Sequence, residues 1–171
     1  MNKFIKNFKL ELFPLTLILI LVFSRLIPHP PNFTPIIAAA VMSVYFFKST
    51  YLSSIVIISS MILSDLIIGF YSNFIFVYIS LLLIVLIFSK INKIIKLNNL
   101  FIYGFFASLI FFIITNFGTW IFSGMYEKNL NGLIYCYFLA IPFFTNTVLS
   151  TIFFLYSAFF LKRLNFQKKI S

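Results

Sequence analysis

The groups best suited to hold a small molecule lie in one short segment, residues 25–35, which contains four of the six prolines of the chain. The segment carries the guanidinium of Arg25, the only imidazole at His29, the amide of Asn32 and the hydroxyl of Thr34. Proline fixes its own φ and pushes the residue before it out of the helical region. The sequence therefore predicts a stiff, non-helical loop whose polar groups bind a substrate.

The carboxylates are too scattered for acid–base hydrolysis. The three acids, Glu11, Asp65 and Glu127, lie on separate segments, and the sequence has no phosphate-binding glycine loop and no hydrolase motif. His29 has no second histidine and no nearby acid, and Cys136 is the only cysteine, which favours a packing role for the thiol. We expect no catalytic residues, no metal site, no cofactor and no use of ATP by this chain.

The composition is that of an integral membrane protein. Hydrophobic residues make up 62% of the chain and charged residues 9%, with a mean hydropathy of +1.09. A soluble domain is nearer half apolar and a quarter charged. The net charge of +10 could suit nucleic acid, but the lysines lie at the ends of apolar runs and no nucleic-acid motif is present. We expect a lipid bilayer around the chain and no nucleic-acid partner.

The hydropathy pattern predicts an all-α fold, a single transmembrane domain over residues 1–171 that forms a bundle of six transmembrane helices. The predicted spans are about 11–27, 35–47, 51–70, 73–89, 99–122 and 133–161. The second span reaches only about 20 Å, against a hydrocarbon core of about 30 Å. The proline-rich loop before it should therefore dip into the membrane, where non-helical backbone needs protein or a wet cavity around it.

The charge distribution predicts the orientation. With six spans and both termini cytoplasmic, every lysine and arginine except Arg25 and Lys128 lies on the inner side. The sixth span contains Pro142 and is either one kinked helix or a re-entrant piece followed by a helix that starts near Asn146. We expect a multi-pass protein of the bacterial inner (cytoplasmic) membrane.

Asp65 is the sharpest single residue within the spans. A carboxylate at the centre of a membrane span costs roughly 2.5–3.5 kcal/mol on insertion scales, so it requires a partner or a function. Arg25 lies at a similar depth near the outer side, as does Ser64. Three alternatives follow: a structural pair of Asp65 with Arg25, a contact of Asp65 with a ligand or cation, or a hydrated carboxylate at the interface.

Other polar residues on the outer side also allow two interpretations. Asn116 and Trp120 share a helix face and form either an interfacial anchor or one wall of a pocket. Asn146 follows Pro142 and is either a helix N-cap or a ligand contact. One group of small residues either packs within the chain or docks a partner protein: Ala38, Ala39, Ala40 and Ser43.

Four motifs carry a resemblance to known proteins: RLIPHPPNFTP, SDLIIGF, NFGTW and YCYFLAIPFFTNT. Together they resemble an uncharacterised family of small bacterial membrane proteins, which is in turn similar to the substrate-binding (S) components of energy-coupling factor (ECF) transporters. The resemblance implies that a vitamin or cofactor-like molecule is captured from outside beneath the loop Pro28–Pro35. It also implies a shared transmembrane coupling subunit with two ATPases.

The resemblance also assigns pocket residues by position, namely Ser64, Asp65, Asn116, Trp120 and Asn146. S components usually carry alanine-spaced packing residues on the first helix, whereas residues 11–24 contain no Ala and no Gly. We expect a small-molecule binding and uptake protein of S-component type. The alternatives are a non-transporting membrane scaffold or assembly subunit, and an ion-coupled carrier that uses Asp65.

Overall fold

The computed structural model describes the backbone of residues 2–91 and 96–167 and the side chains of residues 12–91 and 96–162. Within these ranges the chain forms seven α-helices, one 3-10 turn at Leu97–Asn99 and no strand. The helices are α1 (Asn2–Leu26), α2 (Ile36–Phe47), α3 (Thr50–Ile68), α4 (Phe74–Ile91), α5 (Leu100–Phe122), α6 (Leu130–Leu139) and α7 (Ile141–Gln167). The prediction of an all-α fold is confirmed.

Four of the described segments are long and apolar enough to cross a membrane: Thr50–Ile68, Phe74–Ile91, Leu97–Phe122 and Ile141–Lys162. Three shorter apolar helices accompany them: Leu12–Leu26, Ile36–Phe47 and Leu130–Leu139. Large Leu, Ile and Phe side chains are exposed around the outside of the bundle. This surface suits lipid, since lipid-facing side chains need no burial in protein.

The short helix α2 lies at the centre of the bundle, in contact with α3, α4, α5 and α7. Its 12 residues span about 18 Å, as the sequence predicted for the second span. Ala38, Ala40 and Ser43 are fully or almost fully buried on it, while Ala39 is partly exposed. These three side chains pack within the chain and are not available to dock a partner, which corrects the docking alternative for them.

The predicted sixth span is divided in two. Helix α6 ends at Leu139, and α7 begins at Ile141, so Pro142 lies in the first turn of α7, where its missing N–H costs no hydrogen bond. Asn146 is therefore in the body of α7, so the alternative of a helix that starts near Asn146, with this residue as its N-cap, is wrong.

Helices α6 and α7 pack along α5 one after the other, antiparallel to it. The Tyr137 hydroxyl on α6 donates to the carbonyl of Ile113 at 2.6 Å, and the Phe144 ring on α7 lies 4.8 Å from the Phe112 ring. Farther along, the Ser108 hydroxyl donates to the carbonyl of Thr147 at 3.4 Å. The segment is thus one kinked run along α5, and α6 is not a piece that turns back.

Helix α5 approaches α4 closely at Gly118. A Cβ atom at this position would lie 2.4 Å from Cγ of Phe76, which is too close for any real contact. The glycine thereby allows the ring of Phe76 to pack directly on the backbone of α5. This contact fixes the wall on which several of the polar residues described below stand.

Candidate ligand-binding site

The proline-rich loop descends along α7. The amide of Asn146 donates to the carbonyl of Pro31 at 3.1 Å, and the Ser150 hydroxyl donates to the carbonyl of Asn32 at 3.3 Å. One position further along the loop, the Phe33 ring lies 6.1 Å from the ring of Phe154 on α7. From residue 146 to residue 154 a helix rises about 12 Å. The loop thus follows α7, and its residues His29, Pro31, Asn32 and Thr34 also border a cavity.

A left-handed residue helps the loop to make this turn. Asn32 has φ 62°, a conformation that asparagine tolerates better than most residues with a side chain. His29 lies on the exposed part of the loop, where Nδ1 is 2.8 Å from the carbonyl of Pro30. Because a carbonyl can only accept, Nδ1 carries the proton in this contact.

Beneath the loop lies a cavity of about 480 Å³. Small-molecule sites in proteins occupy roughly 300–1,000 Å³ and combine apolar walls with a few polar groups. The apolar lining is Ile36, Met61, Ile68, Val77, Phe111, Phe112 and Phe143, together with Pro31. The polar lining is Arg25, His29, Asn32, Thr34, Tyr71, Asn73, Thr115, Asn116, Thr119 and Thr147.

Five of the nine residues predicted to bind substrate line this cavity: Arg25, His29, Asn32, Thr34 and Asn116. The other four are not among its lining residues: Ser64, Asp65, Trp120 and Asn146. Five further polar residues line the cavity that are not among the predicted site residues: Tyr71, Asn73, Thr115, Thr119 and Thr147. A usable signal for two of them was the four-residue spacing of Thr115 and Thr119, which places both hydroxyls on one face of α5.

Asp65 and Arg25 form a buried ion pair that joins α3 to α1. Nη2 of Arg25 is 2.7 Å from Oδ1 of Asp65, and the Tyr78 hydroxyl donates to Oδ2 at 2.7 Å. Nη1 of Arg25 donates to Ser64 Oγ and, at 3.4 Å, to the carbonyl of Met61. The Asp65 side chain is fully buried, whereas that of Arg25 is 14% exposed. The structural pair is therefore the arrangement that the chain adopts, with Arg25 facing the cavity and Asp65 behind it.

Tyr71 stands between α3 and α4, next to this pair. Burial and, next, the charge of Asp65 together raise the pKa of Tyr71 to about 12, against a smaller opposite effect of Arg25. The phenol is consequently neutral at any physiological pH. It offers the cavity a hydroxyl and no charge.

Trp120 has a different role from the one its spacing suggested. Its indole N–H donates to the carbonyl of Glu127 at 2.9 Å, and the Lys128 ammonium donates to the carbonyl of Trp120. Asn129 then caps α6 by accepting from the amide of Gly132 at 2.8 Å. Trp120 thus fastens the connection between α5 and α6 instead of forming a wall of the cavity.

Residues 6–170 match the model of a family of unknown function, DUF6580. The chain belongs to this family. The match to DUF6580 includes the proline-rich loop, all the residues that line the cavity and the Arg25–Asp65 pair. No curated protein and no solved structure matches the chain.

Proposed function

We propose that this protein binds a small molecule in the cavity beneath the proline-rich loop and takes part in its uptake across the membrane. The observation that carries the proposal is the cavity itself: about 480 Å³, covered by a loop that hydrogen-bonds to α7. Its lining joins aromatic rings to a small number of hydroxyl, amide and guanidinium groups, a combination typical of small-molecule sites. The chain then acts as a binding protein and not as an enzyme.

We further propose six membrane crossings with both termini cytoplasmic, in the inner membrane of a bacterial cell. The kinked run of α6 and α7 along α5 supports a single last crossing. Lys162 and Lys48 lie at the same end of the bundle, with their ammonium groups 3.3 Å and 5.0 Å from the centre of the Tyr45 ring. Arg25 and Lys128 lie at the other end. The positive-inside rule makes the lysine end cytoplasmic and turns the cavity to the outside.

Cysteine labelling tests this orientation. In a Cys136→Ala background, we expect Lys128→Cys to react with a membrane-impermeant maleimide on intact cells. We expect Lys48→Cys to react only after the membrane is permeabilised. The opposite pattern would place the cavity on the cytoplasmic side and refute uptake from outside.

The S-component resemblance extends the proposal to a vitamin or cofactor-like ligand and to a shared coupling subunit with two ATPases. The position of a loop after the first helix, over a cavity, supports this extension. The coupling surface would not include Ala38 and Ala40 of α2, because both are buried. Purification of the tagged chain from its own membranes tests it: a stoichiometric coupling subunit supports the extension, and a solitary chain refutes it.

The decisive experiment measures ligand binding and uptake together. The full chain in detergent is screened for thermal stabilisation against a panel of vitamins and cofactors, and a deletion strain is tested for their uptake. A ligand at 100 times its Kd should stabilise the fold by about 2.7 kcal/mol, which such a screen detects. If no compound stabilises the protein and the deletion leaves every uptake rate unchanged, the proposal fails.

A scaffold or assembly subunit is the second candidate, and the buried Arg25–Asp65 pair favours it, since an ion pair between α1 and α3 needs no ligand to explain it. This candidate predicts a stoichiometric protein partner and no bound small molecule. For ion-coupled transport through Asp65, the relevant variant is Asp65→Asn in a folded protein. Intact transport by that variant would exclude such a mechanism.

A further inference from the structure

Three hydroxyl groups of the cavity wall, those of Thr115, Thr119 and Thr147, donate their protons to main-chain carbonyls. Thr115 donates to the carbonyl of Phe111 and Thr147 to the carbonyl of Phe143, both at 2.8 Å, and Thr119 donates to the carbonyl of Thr115 at 3.0 Å. A hydroxyl has a single proton to donate and two lone pairs with which to accept. Toward the cavity, these three groups therefore offer acceptors only.

The amides of the same wall are oriented in the same sense. Nδ2 of Asn73 donates to the carbonyl of Thr115 at 3.2 Å and to Oγ1 of Thr119 at 2.6 Å, and Nδ2 of Asn116 donates to the carbonyl of Phe112 at 2.8 Å. Because carbonyl oxygens can only accept, these contacts fix which end of each amide is nitrogen. Neither Oδ1 atom accepts a hydrogen bond from a residue that the structure describes, so both remain as acceptors. Asn116 keeps one N–H.

The other side of the cavity donates. A guanidinium has five N–H groups, and three of those on Arg25 are directed to Asp65, Ser64 and Met61. The remaining N–H groups belong to a side chain that is still 14% exposed and lines the cavity. Asp65 compensates the charge of Arg25 from behind. The cavity thus has a donor at one end without the net charge that would attract a polyanion.

We propose that the cavity selects an uncharged, ring-containing molecule that carries both N–H or O–H donors and a carbonyl-type acceptor. The donors would face Asn73, Thr115, Asn116 and Thr147, and the acceptor would face Arg25. A cation would be repelled by the guanidinium of Arg25, although the acceptors of the wall would attract it. A multiply charged anion would lose its hydration and find mostly hydrogen-bond acceptors in the cavity, which is costly. The inference rests on the proposed function and names its class of ligand.

Three benzene derivatives of similar size test the selection on the purified full chain. Benzamide has a ring, two N–H donors and a carbonyl; N,N-dimethylbenzamide lacks the donors; benzoate lacks the donors and carries a negative charge. We expect benzamide to bind at least about tenfold more tightly than either of the others. The reason is that an acceptor of the cavity that loses its water and gains no donor from the ligand weakens binding by its desolvation cost. Ligand-observed NMR titration gives the three Kd values. Equal or tighter binding of either analogue, or no binding of benzamide, overturns the inference.

Two variants of one residue then locate the selection. Asn116→Leu removes the free acceptor and should weaken benzamide binding about tenfold. Asn116→Thr can still donate to the carbonyl of Phe112 and keeps a lone pair for the ligand, so it should retain benzamide binding within about threefold. Thr145→Val, on the exposed side of α7, is the matched control and should change nothing. If Asn116→Thr loses benzamide while its melting temperature stays at that of wild type, the acceptor assignment is wrong.

The two proposals can fail separately. If benzamide binds more tightly than both analogues but no compound is transported, the inference about the ligand class is supported and the proposed uptake function is refuted. If a transported or co-purified molecule is a polyanion without donors, the uptake function stands and the selection falls.

Discussion

Replacement of Asp65 by asparagine tests whether the ion pair with Arg25 holds the bundle together. Asparagine has nearly the same shape as aspartate and can still accept a hydrogen bond from the Tyr78 hydroxyl. What it loses is the charge that faces Nη2 of Arg25 at 2.7 Å. The guanidinium would then remain between α1 and α3 without a counter-charge.

The expected cost follows from burial. Removal of one partner from a buried ion pair destabilises proteins by roughly 3–5 kcal/mol, mostly because the other charge is left uncompensated. Asp65 is fully buried, but Arg25 is 14% exposed, borders the cavity and keeps its bonds to Ser64 and Met61. The cost should therefore lie at the lower end of that range, at about 3 kcal/mol.

Reversible unfolding in mixed detergent micelles, with rising sodium dodecyl sulfate, measures the free energy. Tyr78→Phe is the companion variant, since it removes one hydrogen bond to the carboxylate and leaves the ion pair; we expect about 1–2 kcal/mol. The double variant Arg25→Met with Asp65→Leu removes both charges and should be less destabilised than Asp65→Asn. An Asp65→Asn protein within about 1 kcal/mol of wild type would refute the claim that the pair is buried and structural.

Three further predictions concern packing, the loop and pH. Gly118→Ala should destabilise by about 1–3 kcal/mol, since the added Cβ atom would lie 2.4 Å from Cγ of Phe76. Gly104→Ala should destabilise by less, since the nearest atom to its added Cβ is a side-chain atom of Ile152 at 3.0 Å; unfolding curves compare the two. Asn146→Leu should speed hydrogen exchange in residues 28–34 with Thr145→Val as the unchanged control, and equal exchange would contradict the docking of the loop on α7. Because the pKa of Tyr71 is raised, the stability that its neutral phenol contributes is complete below pH 10 and is lost between pH 10 and about pH 12. The free energy of unfolding of wild type should therefore fall relative to that of Tyr71→Phe only in this pH range. A difference between the two proteins that already changes between pH 6 and 9 would contradict this prediction.

The sequence indicates which polar groups lie near the outer side, but it does not indicate which of them contact each other. Arg25 and Asp65 stood out as charges at a similar depth, and their pairing was one of three alternatives that the sequence left open. The choice among them depends on the rotation of α1 and α3 about their axes. Hydrophobic periodicity alone does not give that rotation; on α3 the buried polar residues Ser60, Ser64 and Asp65 mark the side that faces the protein. The same uncertainty explains why Trp120 and Asn146 were assigned to the cavity lining and Tyr71 was not.

The break in the last helix also lay beyond the sequence. Pro142 indicated an interruption, but the helix α7 begins at Ile141, with the proline in its first turn. Proline is tolerated at the start of a helix and disruptive inside one. Pro142 therefore predicts that a helix ends or begins near it. The packing of Tyr137 and Phe144 along α5 decides where the break between the two helices falls relative to the proline.

By itself the sequence determined the class of protein, an all-helical chain with membrane-like apolar segments, a short second helix and a stiff loop before it. These are sums of local properties, namely hydropathy, length and the φ restriction of proline, and they need no knowledge of neighbours. Only the tertiary structure decided that the loop descends along α7, that Asp65 sits behind Arg25, and that five further polar side chains line one cavity. These features depend on contacts between residues that are far apart in the chain. Contacts such as that of Gly118 with Phe76 fix the rotation and the approach of each helix, and they select one arrangement among many that have the same hydropathy.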